Sequence, residues 1–256
     1  MLKIIRWLRY FHLNILSTLY LNFRAFSFRD AIKIPVLVFG KCFLEDVHRG
    51  CIKLSRVEFD SLRLGGGRYT EIFGRSNLYK SYFRFSGLWY VGKNVTIDQG
   101  CIVSVCEGAT LDLGNNIHIN RKTCIHVKEH ITISNNTRVG WNCQILDSNF
   151  HYTVLNGTIS KMNAPVYIGH NVLLANGVSI TKGTVLPNYS VVSSMSLVNR
   201  NLSEFGEGCL YGGVPAKKLK SGIRRLLGVE KQIDALFEDG RECVNVEDCS
   251  FLNDYQ

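Results

Sequence analysis

The chain has 256 residues, of which 46% are hydrophobic, so it can bury a sizeable core as one large domain or one domain with attachments. Its net charge of +9 and pI near 9.1 indicate either a surface charged for solubility or an anionic partner, such as phosphates, nucleic acid or a membrane face. None of the nine cysteines forms a CxxC pair, which excludes the usual zinc framework and predicts small buried thiols in a reducing compartment, the cytoplasm.

The chain begins with MLKIIRWLRYFHLNILSTLYLNF. Lys3, Arg6 and Arg9 interrupt its first turns, so it lacks the roughly 18 uninterrupted apolar residues of a spanning helix, and no small-residue cleavage site follows. We predict a cationic amphipathic helix over residues 1–24. It either packs against the protein or a partner subunit, or lies on an anionic membrane face, which would place the chain at the inner face of the membrane.

Residues 31–90 contain β-prone runs without a clear period, and we predict irregular β structure there, so that residues 1–90 form an N-terminal segment. Gly65, Gly66 and Gly67 separate two of these runs. They lack the Lys-Ser/Thr that follows in a P-loop, so they predict a hairpin connection rather than a phosphate-binding loop.

From residue 91 onward, apolar residues recur every six positions, with two shifts of register and one long interruption. The recurring positions are Val91, Ile97, Val103, Leu113, Ile119, Ile125, Ile133, Val139, Ile145, Ile168, Leu174, Ile180, Leu186, Val192 and Val198. A second apolar or small residue lies four positions after most of them, at Val95, Cys101, Ile117, Thr123, Thr137, Cys143, Val172, Val178, Thr184 and Ser190. This period predicts short strands joined by turns, three to a triangular coil, whose stacking buries a continuous column.

Glycine or asparagine fills the intervening turns in LGNN, VGWN, IGHN and LANG, and both residues tolerate left-handed backbone angles. A β-sandwich, with strands every 8–12 residues or so, would not hold a six-residue phase over this length. The pattern therefore favours a parallel β-helix.

Three stretches carry a resemblance to a known family: WNCQILDSNFH, VYIGHNVLLANGVSITKGTVLPNYSVV and LYGGVPAKKLK. They are similar to the D-x-D-x-H segment, the IG-x-x-V-W-I-G-A-x-V-x-I run and the G-x-P-A-K closing motif of hexapeptide-repeat acyltransferases. Residues 91–220 resemble, in particular, the O-acetyltransferases that modify bacterial surface saccharides. The resemblance implies an all-β, left-handed parallel β-helix, a homotrimer with active sites between neighbouring coils, acetyl-CoA as acyl donor and a saccharide as acceptor.

The period stops after Ile145, where the resemblance implies an excursion loop over residues 147–165 with His151 as catalytic base. An imidazole with a pKa near 6.5 suits the deprotonation of a sugar hydroxyl at neutral pH. Asp147 is predicted to orient this imidazole, unless a backbone carbonyl does so. A solvated loop histidine is the alternative for His151.

Asn149 stands where many relatives carry a second Asp, and we expect activity to survive because an amide still forms hydrogen bonds. We assign Asn149 to the substrate site together with Trp141 and Asn142. Trp141 lies in a turn beside the catalytic segment, where it either lines the acceptor site or covers a corner of the coil.

The resemblance also implies a coenzyme A site along the late coils. Its predicted members are Ala175, Asn176, Ser194, Asn199, Arg200, Lys217 and Lys220. Ala175 and Asn176 occupy the family's GA position, where small residues let backbone amides reach the cofactor. Lys217 and Lys220 would contact its phosphates through charge-assisted hydrogen bonds, with a solvated basic tail as the alternative.

No metal is expected. A zinc-binding branch of this fold uses a histidine pair five residues apart, whereas His126 and His130 are four apart. Alternating strand positions would also point these two side chains and His118 in different directions.

Residues 221–256 are predicted to form a helix followed by a polar tail. Two alternatives to O-acetyl transfer remain open: N-acetylation of an amino sugar, and a non-catalytic trimeric β-helix scaffold that binds a partner. Nucleic acid is not an expected partner, since the chain shows no basic helix and no base-stacking motif.

Overall fold

The computed structural model describes residues 12–66 and 79–226, together with 232–234, 237, 243, 245, 246 and 249. Its helices are α1 (Ile15–Ala25) and α2 (Phe28–Ala31), with a 3-10 turn at Ser203–Phe205. Its strands are β1 (Val36–Val38), β2 (Cys42–Glu45), β3 (Ile52–Leu54), β4 (Leu62–Leu64), β5 (Ser81–Phe85), β6 (Leu88–Val91), β7 (Val95–Ile97), β8 (Ile102–Val105), β9 (Thr110–Leu113), β10 (His118–Ile119), β11 (Cys124–Val127), β12 (His130–Ile133), β13 (Arg138–Val139), β14 (Gln144–Leu146), β15 (Thr153–Leu155), β16 (Thr158–Ser160), β17 (Val166–Ile168), β18 (Leu173–Leu174), β19 (Ser179–Ile180), β20 (Val185–Leu186), β21 (Val191–Val192), β22 (Leu197–Val198), β23 (Cys209–Gly213) and β24 (Ala216–Ser221).

The strands stack into three long sheets, and each of the first six coils contributes one strand to each sheet. The first sheet has the order β1-β4-β7-β10-β13-β18-β21-β23-β24, the second β2-β5-β8-β11-β14-β19-β22, and the third β3-β6-β9-β12-β17-β20. Neighbouring strands in these sheets are parallel, except that β24 returns antiparallel to β23. This arrangement confirms the predicted all-β fold of a parallel β-helix.

The six-residue series faces the interior of the coil. All of its predicted positions are at most 3% exposed. Thr123, Thr137 and Thr184 lie in the same column, and their hydroxyls donate to carbonyl oxygens of the next coil at 2.9, 3.0 and 3.1 Å. The polar groups of the column are thereby paired, as buried polar groups require.

The turns adopt the predicted backbone. Asn116, Asn142 and Asn171 have φ angles of 56°, 56° and 57°, in the left-handed region that asparagine and glycine tolerate. The side chains of Asn94, Asn116 and Asn136 also form a ladder along one edge, with amide-to-oxygen distances of 3.0 Å.

The coil begins further toward the N-terminus than the predicted boundary at residue 91. β1 pairs with β4, and β4 pairs with β7, so residues 36–64 already belong to the first turns of the β-helix. Long connections between these early strands hide the six-residue period. Gly65 and Gly66 follow β4, whereas Gly67 and the β-prone run after it lie outside the described residues, so the predicted hairpin connection stays a prediction.

Helix α1 lies along β1, the edge strand of the first sheet. The Asn22 amide donates to the Val36 carbonyl at 2.7 Å and accepts from the Val36 N–H at 3.1 Å, and the Thr18 hydroxyl accepts from the Val38 N–H at 3.0 Å. The helix thus covers an edge whose unpaired backbone groups could otherwise pair with a strand of another chain.

The first eleven residues of the predicted N-terminal helix, and most of the predicted C-terminal helix and tail, lie outside the described residues. Among the helices that the structure describes, none is both long enough and apolar enough to cross a membrane.

Candidate active site

The excursion leaves the coil between β14 of the second sheet and β17 of the third, at the corner that we call the excursion corner. Two backbone hydrogen bonds close its base: Ala164 N donates to the Asp147 carbonyl at 2.9 Å, and Asn149 N donates to the Met162 carbonyl at 3.0 Å. Its tip is the antiparallel hairpin β15–β16. The excursion is therefore a closed, hydrogen-bonded unit and not an open loop.

Asp147 anchors the start of the excursion. It is fully buried, and its carboxylate oxygens accept three backbone hydrogen bonds, from Lys128, Glu129 and His130, at 2.8, 2.8 and 2.9 Å. These amides belong to the turn between β11 and β12 and to the first residue of β12, one coil below. The carboxylate thus anchors the excursion to the backbone of the neighbouring coil. Its predicted role as the group that orients His151 stays a prediction.

The residue before His151 is also fixed. Phe150 adopts a φ of 61°, its N–H donates to the Ser148 hydroxyl at 3.0 Å, and its ring lies 5.1 Å from the imidazole of His126, measured between centroids. His151 itself is exposed, as is Asn149. The chain thus presents His151 to solvent from an anchored backbone.

His126 lies beside the start of the excursion, although the sequence suggested no role for it other than that of a metal ligand. Its Nε2 lies 3.6 Å from the Cys106 sulfur, and its ring supports Phe150. Burial lowers the pKa of His126, the positive charge of Lys128 lowers it further, and the charge of Asp147 opposes both. His126 and Phe150 are 24 positions apart in the chain, and only the stacking of coils brings their rings together.

The other two histidines that were weighed as metal ligands pair with carboxylates on different sheets. His118 lies 3.4 Å from Asp98 on the first sheet, and His130 lies 2.7 Å from Asp112 on the third. Within the described part of the chain, no cluster of three or more His, Cys, Asp or Glu side chains is arranged to hold a metal ion.

Five of the predicted site residues share the corner between the first and second sheets. They are Trp141, Asn142, Ala175, Asn176 and Ser194. Successive turns are linked there, because Gly177 N donates to the Trp141 carbonyl at 2.9 Å and Trp141 N donates to the Asn176 side-chain oxygen at 3.3 Å. The Ala175 N–H donates to the Val192 carbonyl at 2.9 Å as part of the stacked turns, and the predicted contacts of Ala175 and Asn176 with a cofactor stay predictions.

The remaining predicted residues lie near the end of the coil. Asn199 and Arg200 follow β22 at the excursion corner and are exposed, with the Arg200 guanidinium 5.7 Å from the Phe205 ring. Lys217 and Lys220 are exposed on β24 at the edge of the first sheet. The second sheet, with Gln144 exposed, separates the excursion corner from the corner that holds Trp141 and Ala175.

Comparison with known proteins supports the resemblance to O-acetyltransferases. No family model matches the chain. It is 26% identical over 152 residues to the putative lipopolysaccharide biosynthesis O-acetyl transferase WbbJ of Escherichia coli, a match that covers 56% of this chain and 76% of the relative.

Two solved structures are similar at low identity. One is a variant of AntD, an N-acyltransferase from Bacillus cereus, in complex with dTDP and coenzyme A, with 17% identity, a TM-score of 0.48, and coverage of 78% of this chain and 87% of AntD. The other is the polySia-specific acetyltransferase NeuO, with 18% identity, a TM-score of 0.49, and coverage of 86% of this chain and 79% of NeuO.

Proposed function

We propose that this protein is an O-acetyltransferase that moves the acetyl group of acetyl-CoA to a hydroxyl of a saccharide. The observation that carries the proposal is the anchored excursion, in which Asp147 and Phe150 hold the backbone while His151 stays exposed. The sequence similarity to a putative lipopolysaccharide O-acetyl transferase supports both the acetyl transfer and the saccharide acceptor.

In the proposed reaction His151 acts as general base. It takes the proton of the acceptor hydroxyl while the hydroxyl oxygen attacks the thioester carbonyl carbon. The resulting tetrahedral oxyanion collapses, the C–S bond breaks, and the imidazolium returns its proton to the departing thiolate. The products are an O-acetyl ester and free coenzyme A, so atoms and charges balance.

The proposed donor site uses cationic side chains for the phosphates of coenzyme A. Arg200, Lys217 and Lys220 are exposed, as contact with an anionic ligand requires. Ser194 is exposed at the corner of the first and second sheets, where the pantetheine arm would pass. Asn199 adds a further polar group at the excursion corner.

A binding measurement paired with a transfer assay tests the proposal. Calorimetric titration with coenzyme A and acetyl-CoA is expected to give similar affinities for the wild type and for His151→Ala. Transfer to a panel of sugars is expected to fall at least about 100-fold in His151→Ala. The matched control is His48→Ala, because His48 is an exposed histidine on a turn far from the excursion in the chain.

Three outcomes would contradict parts of this proposal. Absence of coenzyme A binding by the wild type favours the scaffold alternative. Full activity of His151→Ala removes this residue from the chemistry. A transferred acetyl group that resists alkaline hydroxylamine, which cleaves esters but not amides, indicates N-acetylation of an amino sugar.

A further inference from the structure

The outward face of helix α1 is apolar, although it does not face the coil. Its exposed side chains are Ile15, Leu16, Leu19, Tyr20 and Phe23, with exposed fractions of 63%, 82%, 42%, 51% and 42%. The opposite face carries Thr18 and Asn22, whose side chains form hydrogen bonds with the backbone of the edge strand β1. A helix that packs on a core normally has apolar residues on its inward face and polar residues on the face that contacts water. The apolar outward face of α1 therefore indicates contact with a second apolar environment.

Helix α2 continues the same surface. Phe28 and Ile32 are 72% and 56% exposed, and the rings of Phe23 and Phe28 lie 5.9 Å apart between centroids. We call this surface the N-terminal apolar patch, formed by Ile15, Leu16, Leu19, Tyr20, Phe23, Phe28 and Ile32. Large apolar side chains at this density are uncommon on the surface of a soluble monomer.

Cationic side chains border the patch. Arg24, Arg29 and Lys33 are all exposed, and the one carboxylate in residues 12–33, Asp30, lies 3.5 Å from Lys33. Two cations therefore stay without an acidic counterpart in this segment. An apolar centre with a basic border matches the boundary between the acyl chains and the anionic head groups of a bilayer. It fits a second copy of itself less well, because that contact would bring like charges together.

We propose that the N-terminal apolar patch docks on an anionic membrane surface. Its aliphatic and aromatic side chains enter the boundary of the acyl region, and Arg24 and Arg29 contact lipid phosphates. The patch lies at the first strand of the coil, whereas the excursion leaves after β14, so docking leaves the candidate active site uncovered. The proposal does not depend on the proposed acyl transfer.

Vesicle co-sedimentation tests this proposal with the full-length chain. The wild type is expected to sediment with vesicles of phosphatidylcholine and phosphatidylglycerol, and weakly with phosphatidylcholine alone. Leu16→Ser/Phe28→Ser is expected to lower the apparent affinity at least about tenfold, since it removes the two most exposed side chains of the patch. Arg24→Gln/Arg29→Gln is expected to lose about fivefold per charge and most of the salt dependence.

The matched control is Val154→Ser/Ile159→Ser on hairpin β15–β16, where these residues are 68% and 66% exposed, and it should sediment like the wild type. Circular dichroism and thermal melts confirm that each variant folds. Failure of the wild type to bind anionic vesicles at low salt overturns the proposal. So does a patch variant that binds as tightly as the wild type. A patch variant that changes the molar mass in solution without changing vesicle binding assigns the patch to a subunit interface and also overturns it.

Discussion

Asp147 links the excursion to the neighbouring coil through one buried carboxylate. Asp147→Ala leaves three backbone N–H groups without their charged acceptor. Since a hydrogen bond to a charged group contributes about 1.5–3 kcal/mol and such losses are not additive, we expect the free energy of unfolding to fall by about 3 kcal/mol. Asp147→Asn retains one acceptor oxygen and should lose about half as much. Urea denaturation measures both.

The same pair of variants separates two roles of Asp147. A residue that only oriented His151 would lower the turnover number and leave the urea midpoint unchanged. We instead expect Asp147→Ala to shift the urea midpoint strongly, because the carboxylate anchors the excursion. An unchanged midpoint in Asp147→Ala would contradict the anchoring role.

His126 makes stability depend on pH. Its pKa is lowered in the folded protein, chiefly by burial, whereas the unfolded chain binds this proton near pH 6.5. As the pH falls below about 6.5, the unfolded chain takes up the proton first, so this residue makes unfolding more favourable toward acid. His126→Phe keeps an aromatic ring beside Phe150 and removes the titration.

We therefore expect His126→Phe to lose less stability than the wild type between pH 7.5 and pH 5.5. Thermal or urea midpoints of both proteins at the two pH values test this, because other titrating groups cancel in the difference. Parallel pH curves would show that His126 does not titrate differently in the folded and unfolded chain.

The threonine column connects successive coils through hydroxyl groups inside the β-helix. Thr137→Val keeps the volume and removes the donor to the Gly169 carbonyl. We expect a loss of about 1–2 kcal/mol in unfolding free energy, since the buried carbonyl is left unpaired. Thr158→Val on the exposed hairpin is the control and should change stability little. A Thr137→Val protein as stable as the wild type would mean that the coil relaxes around the lost bond.

The late coils follow from the sequence because β18 to β22 are joined by short turns, so each inward position, such as Leu174 or Ile180, recurs on a constant period. The early coils could not be predicted from the sequence, because the connections around β3 and β4 differ in length and the six-residue period is lost before residue 91. The candidate site also could be predicted only in part. His151 could be proposed from the motif around it, whereas the contact of His126 with Phe150 depends on stacking between coils and leaves no local signal in the sequence.

The proposed homotrimer is a property of the assembled coil surface. Phe43, Tyr82 and Ile102 are successive rungs on the outer face of the second sheet, and Phe43 and Ile102 are 57% and 47% exposed. Apolar surface of this extent is typical of an interface between subunits.

Light scattering coupled to size exclusion is expected to give three times the 29.0 kDa mass of one chain. Ile102→Arg places a charge on this surface without touching the inward column, so we expect it to lower the molar mass and the acetyl transfer rate together. Lys93→Glu, on an exposed turn outside the second sheet, is the matched control and should keep the wild-type mass. A wild type with the mass of a single chain would contradict the trimer. A trimeric Ile102→Arg would leave the trimer in place and exclude this face from its interface.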